Sequence, residues 1–133
     1  MSQENVELLR HAFDAFNRRD LDAFLALCDP ELEFTSYWTK VEGGGPYRGH
    51  DGVRSWWERI VDVYPDFIGE IEEVRDLGDR TISRVLVHAH GVGSHMPMSQ
   101  TLWHVAEWRH GKTIGWHFVT TEAEALEAAG LSE

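Results

Sequence analysis

Apolar residues return at helical spacing in two segments near the start of the chain. Residues 4–18 carry them three and four positions apart, which predicts an amphipathic helix. Its apolar stripe consists of Val6, Leu9, Ala12, Phe13 and Phe16. Asp20 is a typical N-cap residue and predicts a second, shorter helix, which Pro30 ends. The stripe of that helix consists of Leu21, Phe24, Leu25 and Cys28.

Residues 31–38 alternate between apolar and polar side chains, which predicts a strand. The consecutive glycines in residues 39–46 predict a loop, either a plain connection or a flap that could move. Helical spacing returns after residue 52 and predicts a third helix, which Pro65 closes. Its stripe consists of Val53, Trp57, Ile60, Val61 and Tyr64.

Strands and one short helix make up the remainder. Two strands, residues 67–77 and 80–92, are predicted on either side of a turn at Gly78 and Asp79. Two longer strands within residues 99–121 flank a tight turn at residues 110–112, where Gly111 supplies the positive φ of a short loop. Residues 122–129 predict a closing helix that Gly130 ends.

The order of these elements predicts an α+β fold in a single domain, residues 1–133. Three N-terminal helices would pack on one face of a curved antiparallel sheet, and the short C-terminal helix would follow. Long strands twist and curl, so helices across the concave face of the sheet would leave a conical cavity.

The strand before the 110–112 turn indicates which side chains would face that cavity. Side chains alternate along a strand, so one face carries Gln100, Leu102, His104, Ala106 and Trp108. We expect this largely apolar face to point inward. A neutral imidazole there could take a proton from an activated carbon acid and return it, which makes His104 the candidate catalytic residue. The alternative is a buried core histidine that hydrogen-bonds the backbone or a tyrosine. Gln100 could orient a ligand carbonyl or be a solvated amide at the strand end.

Aromatic residues are the candidate ligand-binding wall. Most aromatic side chains of a small domain fill its core, and we expect some of them to line the cavity that remains. The candidates are Phe16, Phe34, Tyr47, Trp57 and Trp116, with Tyr37 at the mouth beside the glycine loop.

No metal or cofactor is expected. His88 and His90 have a spacing that metals can use, and His95 lies beyond them, but no carboxylates or cysteines converge on them. Phosphate-binding loops, nucleophile elbows and zinc-type spacings do not occur. Cys28 is the only cysteine and cannot form an intrachain disulfide; we expect it to be buried filler.

The charge balance limits the possible partners and location. The chain has 12 basic and 23 acidic residues and a net charge of −11, which weighs against nucleic acid and anionic membranes as partners. The longest apolar run, residues 23–28, is far shorter than the roughly 20 residues that span a membrane. The polar, acidic start is not that of a signal peptide, so we expect a cytoplasmic protein.

The outer face of the sheet predicts a partner. It would carry Arg84, Leu86, His88, Trp103 and Val105, which is too apolar a set for free solvent. We therefore expect a homodimer through this face.

Five stretches of the chain together resemble the SnoaL-like group of the nuclear transport factor 2-like (NTF2-like) superfamily. They are FNRRDLDAFLALCDPELEF (16–34), YRGHDGV (47–53), DLGDR (76–80), RHGKTIGW (109–116) and EAEALEAAG (122–130). The resemblance covers nearly the whole chain and implies an NTF2-like α+β cone, usually dimeric, with an apolar pocket. Members include ketosteroid isomerase, polyketide cyclases, limonene-epoxide hydrolase, scytalone dehydratase and non-enzymatic binding modules, so the fold alone does not choose a function.

The catalytic groups of those enzymes do not carry over to this sequence. Alignment on NRRDLD puts the tyrosine of ketosteroid isomerase at Ala12, its base at Thr35 or Ser36, and its wall acid near Gln100 or Thr101. The polyketide cyclases use an acid/base group in the last strands, but residues 113–121 contain no Asp or Glu. The Asp-Arg-Asp arrangement of the epoxide hydrolase has no clear counterpart either.

Two functions from different classes remain open at this point. The first is binding of an apolar, ring-sized organic molecule, with cofactor-free isomerisation, cyclisation or dehydration by proton transfer at His104. The second is a ligand-binding or protein-interaction (dimerisation) module without turnover.

Overall fold

A computed structural model describes residues 3–35, 47–89 and 98–130, which form four helices and a six-stranded sheet. The helices are α1 (Gln3–Asn17), α2 (Leu21–Ala26), α3 (Gly49–Val63) and α4 (Glu122–Ala128). The strands are β1 (Cys28–Thr35), β2 (Tyr47–Arg48), β3 (Ile68–Asp76), β4 (Arg80–Ala89), β5 (Met98–Arg109) and β6 (Lys112–Val119). The glycine loop at 39–46 lies outside the described residues.

The sheet has the strand order β2-β1-β6-β5-β4-β3 and is curved and unclosed. Strands β3 to β6 pair antiparallel in sequence order, whereas β1 pairs with β6 in parallel. The β5–β6 turn has φ values of 54° at His110 and 79° at Gly111. Two positive φ values are what a two-residue hairpin loop requires.

The strand order and the four helices confirm the predicted α+β architecture, with helices packed on one face of a curved sheet.

The boundary between α2 and β1 differs from the prediction. Asp20 caps α2 as expected, because its side chain accepts a hydrogen bond from the Ala23 N–H at 3.1 Å. The helix ends at Ala26, however, and Cys28 already belongs to β1. The start of β6 explains this early exit, since the Thr113 N–H donates to the Leu27 carbonyl at 2.8 Å. Pro30 lies within β1, at a shift in register that tolerates a residue without an N–H.

The inner face of the sheet carries most of the core, because α1, α2 and α3 pack on it. Polar contacts hold the end of α1 against β3. The Asn17 side chain donates to the Gly69 carbonyl at 2.9 Å and accepts from the Gly69 N–H at 3.1 Å. Arg19 donates to the Pro65 and Phe67 carbonyls at 2.7 Å each. A Cβ at Gly69 would lie only 3.2 Å from the ring of Phe13, so this glycine lets α1 approach the sheet.

The outer face is partly covered by α4. The helix buries Ile82 and Val105 completely against its own Ala125 and Ala129, with Trp103 packed at the side. The argument from sequence that this face needs a partner chain was wrong for Val105 and Trp103, because the chain's own last helix covers them. Homodimerisation itself stays a prediction.

The other outer-face residues named from the sequence are in a polar setting. Arg84 lies 3.3 Å from Glu72 and 2.8 Å from Glu73. His88 Nε2 lies 3.4 Å from a carboxylate oxygen of Glu70. Within the described residues, no helix is long and apolar enough to cross a membrane.

Candidate functional site

His104 lies at the centre of β5 on the inner face of the sheet. The register places it opposite Ser83 on β4 and opposite Phe118 on β6. Its side chain has no exposed surface. The alternation of β5 predicted this inward orientation, whereas the catalytic role of His104 stays a prediction.

Three aromatic rings surround the imidazole. The Phe13 ring from α1 lies edge-on, with its centroid 5.4 Å from that of His104. The rings of Trp116 and Phe118 lie 4.1 and 4.8 Å away on β6. We call Phe13, Trp116 and Phe118 the aromatic cage. Because the cage surrounds the imidazole with apolar rings, this group is held in a medium of low polarity.

Neither ring nitrogen of His104 has a hydrogen-bond partner among the described residues. The alternative predicted from the sequence, a histidine bonded to backbone or to a tyrosine, therefore does not occur in this part of the chain. Burial, and secondarily the charge of His117, lower the pKa of His104 well below 6.5. At neutral pH the imidazole is therefore uncharged, with one N–H donor and one nitrogen acceptor.

Ser83 and Trp56 have unpaired polar atoms as well. The Ser83 hydroxyl, on a residue with no exposed surface, has no partner among the described residues. The same holds for the Trp56 indole nitrogen on α3, where the residue is 6% exposed. A buried polar group without a partner costs about 1–3 kcal/mol. Two outer-face nitrogens, Arg80 Nε and His88 Nε2, also lack a hydrogen bond, but they lie 3.9 and 3.4 Å from carboxylates of Glu107 and Glu70. The Ser83 hydroxyl and the His104 imidazole lie where the described inner-face positions of β4, β5 and β6 carry no carboxylate, which marks this face as the candidate site.

The structure separates the predicted wall residues into two groups. Trp116 belongs to the cage around His104. Phe16, Phe34, Tyr47 and Trp57 instead form a second aromatic cluster near Trp56 on α3. The centroid distances in that cluster are 4.9 Å for Phe16–Trp57, 4.7 Å for Phe34–Trp56 and 6.2 Å for Phe34–Tyr47.

The two groups touch through Phe24. Its ring lies 5.5 Å from both Trp57 and Trp116. Gln100 is half-buried on the inner face, opposite Val87 and nearer the start of β5. Tyr37 lies outside the described residues.

Sequence reasoning missed three residues around His104. Phe13 was assigned only to the core stripe of α1, and Phe118 was not singled out although it alternates with Trp116 along β6. Ser83 gives no local signal, because its position opposite His104 follows only from the β4–β5 register.

The site holds no acidic side chain on its sheet floor. Within the described residues, the inner-face positions of β4, β5 and β6 carry no Asp or Glu. The positions matched to the tyrosine and base of ketosteroid isomerase fit this pattern. Ala12 is buried on α1, and Thr35 ends β1.

Two further histidines that the structure describes, His88 and His117, lie on the outer face of the sheet. His117 is on the outer side of β6, and burial lowers its pKa while Glu33 and Glu107 oppose the shift. His90 and His95 fall outside the described residues. In the segments that the structure describes, no three His, Cys, Asp or Glu residues converge in a way that could hold a metal ion. Burial raises the pKa of the Cys28 thiol to about 12, so it stays protonated.

The sequence of residues 9–116 matches the model of the SnoaL-like domain. The chain belongs to the SnoaL-like family. Among curated proteins, none matches it in sequence.

Solved structures show the same fold. An NTF2-like protein of unknown function from Burkholderia pseudomallei is 22% identical, with a TM-score of 0.79 over 93% of this chain and 95% of that one. TerC, co-crystallised with polyporic acid, is 19% identical, with a TM-score of 0.76 over 93% and 96%. IdmH from Streptomyces antibioticus, described as a candidate polyketide cyclase, is 18% identical, with a TM-score of 0.76 over 94% and 97%. At these identities the likeness concerns the fold.

Proposed function

We propose that this SnoaL-like protein binds an apolar, ring-sized organic molecule on the inner face of the sheet, next to His104. In the enzymatic form of the proposal, His104 moves a proton in an isomerisation, cyclisation or dehydration that uses no cofactor. The observation that supports it is an imidazole inside an aromatic cage with both nitrogens unpartnered among the described residues. Such a group is available to a ligand, since it is not engaged in holding the fold together.

The protonation state of His104 sets the direction of any proton transfer. The imidazole is neutral at neutral pH because burial lowers its pKa. It would therefore start as a proton acceptor, and the imidazolium that forms would return the proton to another atom of the same molecule. A ligand polarised by a hydrogen bond would help this step, because a buried imidazole with a low pKa is a weak base.

Binding without turnover is the second candidate. The low pKa of His104 and the lack of carboxylates on the described floor of the site favour it, since both reduce the capacity for acid–base chemistry. The same cage would then serve only to recognise a ring. In a protein-interaction module, the chain's own side chains would fill the inner face, as the cage rings do around His104, and no ring compound would bind there.

Two structural relatives provide context for the ligand class. TerC was crystallised with polyporic acid, and IdmH is described as a candidate polyketide cyclase. The first is a small organic molecule, and the second description implies ring formation, in those proteins. They support a small organic ligand for the present chain without identifying it.

The assembly and location belong to the same proposal. We expect a homodimer through the part of the outer face that α4 does not cover, around Leu86 and His88, and a cytoplasmic protein. Light scattering over a range of concentrations tests the dimer, and a monomer mass at every concentration would overturn it.

A thermal-shift screen of cyclic organic compounds tests the function. Compounds that stabilise the wild type should stabilise His104→Phe much less, while His11→Phe on the exposed side of α1 serves as the control. Turnover of any such compound is then followed as a function of pH. A pH–rate profile that is the same in His104→Ala would remove the catalytic role, and binding without turnover would support the second candidate.

A further inference from the structure

Two hydroxyl groups on the inner face of β4 differ in their hydrogen bonding. Thr81 and Ser83 are both completely buried and point to the same side of the strand. The Thr81 hydroxyl accepts a hydrogen bond from the Trp108 indole N–H at 3.0 Å. The Ser83 hydroxyl has no partner among the described residues. The fold therefore pairs one of these hydroxyls and leaves its neighbour unpaired.

Ser83 lies directly opposite His104 in the β4–β5 register. The Cβ atoms of directly opposed residues in an antiparallel pair are roughly 5 Å apart. The hydroxyl and the imidazole thus form a two-residue polar patch between strands; the next inner-face pairs are Val85–Leu102 on one side and Thr81–Ala106 on the other. Neither residue is hydrogen-bonded to the other. An oxygen atom placed between them could accept from one and donate to the other.

We propose that Ser83 and His104 together bind an uncharged oxygen function, a hydroxyl or a carbonyl, on a flat ring held by the aromatic cage. This inference rests on the proposed function, because it names the ligand class for the same site. It adds Ser83 as a residue that determines specificity, a position that carries no motif and no local signal in the sequence.

The surroundings of the patch select against charged ligands. The described inner-face positions of β4, β5 and β6 carry neither acidic nor basic side chains other than His104 itself. Burial keeps that imidazole neutral by lowering its pKa. A carboxylate or an ammonium group would therefore lose its hydration without gaining a counter-charge, which is costly in an apolar site. A hydroxyl matches the patch better, because serine and neutral histidine can each donate and accept.

A buried water molecule is the competing occupant. One water molecule could bridge the Ser83 hydroxyl and one imidazole nitrogen, because buried waters typically make about three hydrogen bonds to otherwise unpaired groups. The two ring nitrogens point in divergent directions, so the same molecule cannot reach both. The two occupants differ in their effect on affinity. If the patch recognises a ligand oxygen, affinity depends on that oxygen and on Ser83; if it holds structural water, affinity depends on neither.

Calorimetric titration with three naphthalene probes separates these cases. The probes are 2-naphthol, naphthalene and 2-naphthoate, which share a ring system and differ in carrying an uncharged hydroxyl, no oxygen or a charged carboxylate. The proteins are the wild type, Ser83→Ala and the matched control Thr81→Val. We expect the wild type to bind 2-naphthol about tenfold more tightly than naphthalene and 2-naphthoate least tightly, because one net hydrogen bond is worth about a factor of ten.

The variants assign the effect to Ser83. Ser83→Ala should lose most of the preference for 2-naphthol over naphthalene and leave the affinity for naphthalene within about twofold. Thr81→Val should keep the preference, because its hydroxyl serves Trp108. Thermal unfolding checks the folds: Ser83→Ala should be at least as stable as the wild type, and Thr81→Val less stable.

Each remaining result overturns the inference in a distinguishable way. Equal affinity for 2-naphthol and naphthalene in all three proteins refutes the Ser83–His104 patch and leaves the proposed function standing. If Ser83→Ala lowers the affinity for 2-naphthol and for naphthalene by the same factor, Ser83 acts through packing. Preferred binding of 2-naphthoate contradicts the uncharged class. Binding of none of the probes refutes the inference and the proposed ring-binding function together.

Discussion

The two faces of the sheet place their polar groups in different surroundings. On the outer face, Arg84 is held between Glu72 and Glu73, and Arg75 pairs with Glu122 of α4 while lying over the Trp103 ring. On the inner face, the Ser83 hydroxyl and both His104 nitrogens have no partner among the described residues.

This difference indicates where the molecule keeps its capacity for a ligand. On the outer face, the buried Arg80 Nε and His88 Nε2 also lack a hydrogen bond, but they face carboxylates of Glu107 and Glu70, and α4 covers part of that face. The unpaired polar groups of the inner face lower the stability of the folded protein, and the packing of the rest of the core must offset this loss. Unpaired groups of this kind persist in a fold when they have another use, which is why we assign the site to the inner face.

Removal of the cage ring that α1 contributes should have the largest effect. Phe13→Ala should lower the free energy of unfolding by about 3–5 kcal/mol, because it leaves a cavity between α1 and the sheet. Urea denaturation measures this, and His11→Ala on the exposed side of α1 is the control, with an expected change below about 0.5 kcal/mol. A loss below about 1 kcal/mol for Phe13→Ala would mean that α1 does not pack tightly on the inner face.

Detachment of α4 should have the next largest effect and acts on the outer face. Ala125 lies on the side of α4 that faces the sheet and has no exposed surface. Ala125→Glu would therefore place a charge against Ile82 and Val105. The helix should then undock, at a cost of about 2–3 kcal/mol. Ala128→Glu, on the exposed side of the same helix, is the matched control. Unfolding curves and binding of a hydrophobic dye test this, and equal behaviour of the two variants would show that α4 is not the cover.

Replacement of the unpaired imidazole should stabilise the protein while removing its function. His104→Phe deletes two nitrogens without partners and keeps an aromatic ring in the cage, so we expect a gain of about 1–2 kcal/mol at neutral pH. Denaturant unfolding measures the gain. A loss of stability would show that the nitrogens are satisfied in solution, by water or by residues outside those described.

The same variant should flatten the dependence of stability on pH. The unfolded chain protonates this histidine below about pH 6.5, whereas folded His104 has a lowered pKa and stays neutral. The unfolded state then binds more protons, so the free energy of unfolding falls with falling pH by up to about 1.4 kcal/mol per unit. His104→Phe should lose this contribution, and the smaller one of His117 should remain. An unchanged slope would contradict the burial of His104.

The smallest effect is expected from an outer ion pair. Arg84→Leu removes contacts to Glu72 and Glu73 from a side chain that is 41% exposed. Exposed pairs contribute little, so the free energy of unfolding should change by less than about 1 kcal/mol and by less still in high salt. Measurement of Arg84→Leu at two salt concentrations tests this. If Arg84→Leu lowers the free energy of unfolding as much as Phe13→Ala does, the outer ion pairs contribute as much stability as the inner core, and the proposed difference between the two faces is wrong.

Sequence reasoning succeeded where a local pattern fixes the structure. The apolar stripe of α1, the Asp20 cap, the turn at Gly111 and the inward face of β5 all follow from spacing within one element. Family resemblance then supplied the arrangement of the elements. His104 could be placed on the inner face because alternation along a strand depends on neighbours alone.

The features that were missed depend on partners far along the chain. Cys28 continues the helical spacing of Leu25, and only the parallel pairing with β6 makes it a strand residue. Val105 was expected to be covered by a second copy of the chain, because nothing near it in the sequence indicates that α4 covers it. The position of Ser83 opposite His104 could likewise be predicted only from the register of β4 against β5.

The parallel pairing of β1 with β6 constrains how the chain can fold during synthesis. Helices α1 and α2 and strand β1 leave the ribosome long before β6, on which β1 must dock, has been made. Until then Phe24 lacks the Trp116 ring that it packs against, and Phe34 lacks the β6 backbone that it pairs with. Pairings between distant segments form slowly and expose apolar surface in the interval. A nascent chain stalled ahead of the final hairpin is thus the species most exposed to aggregation and most in need of a chaperone.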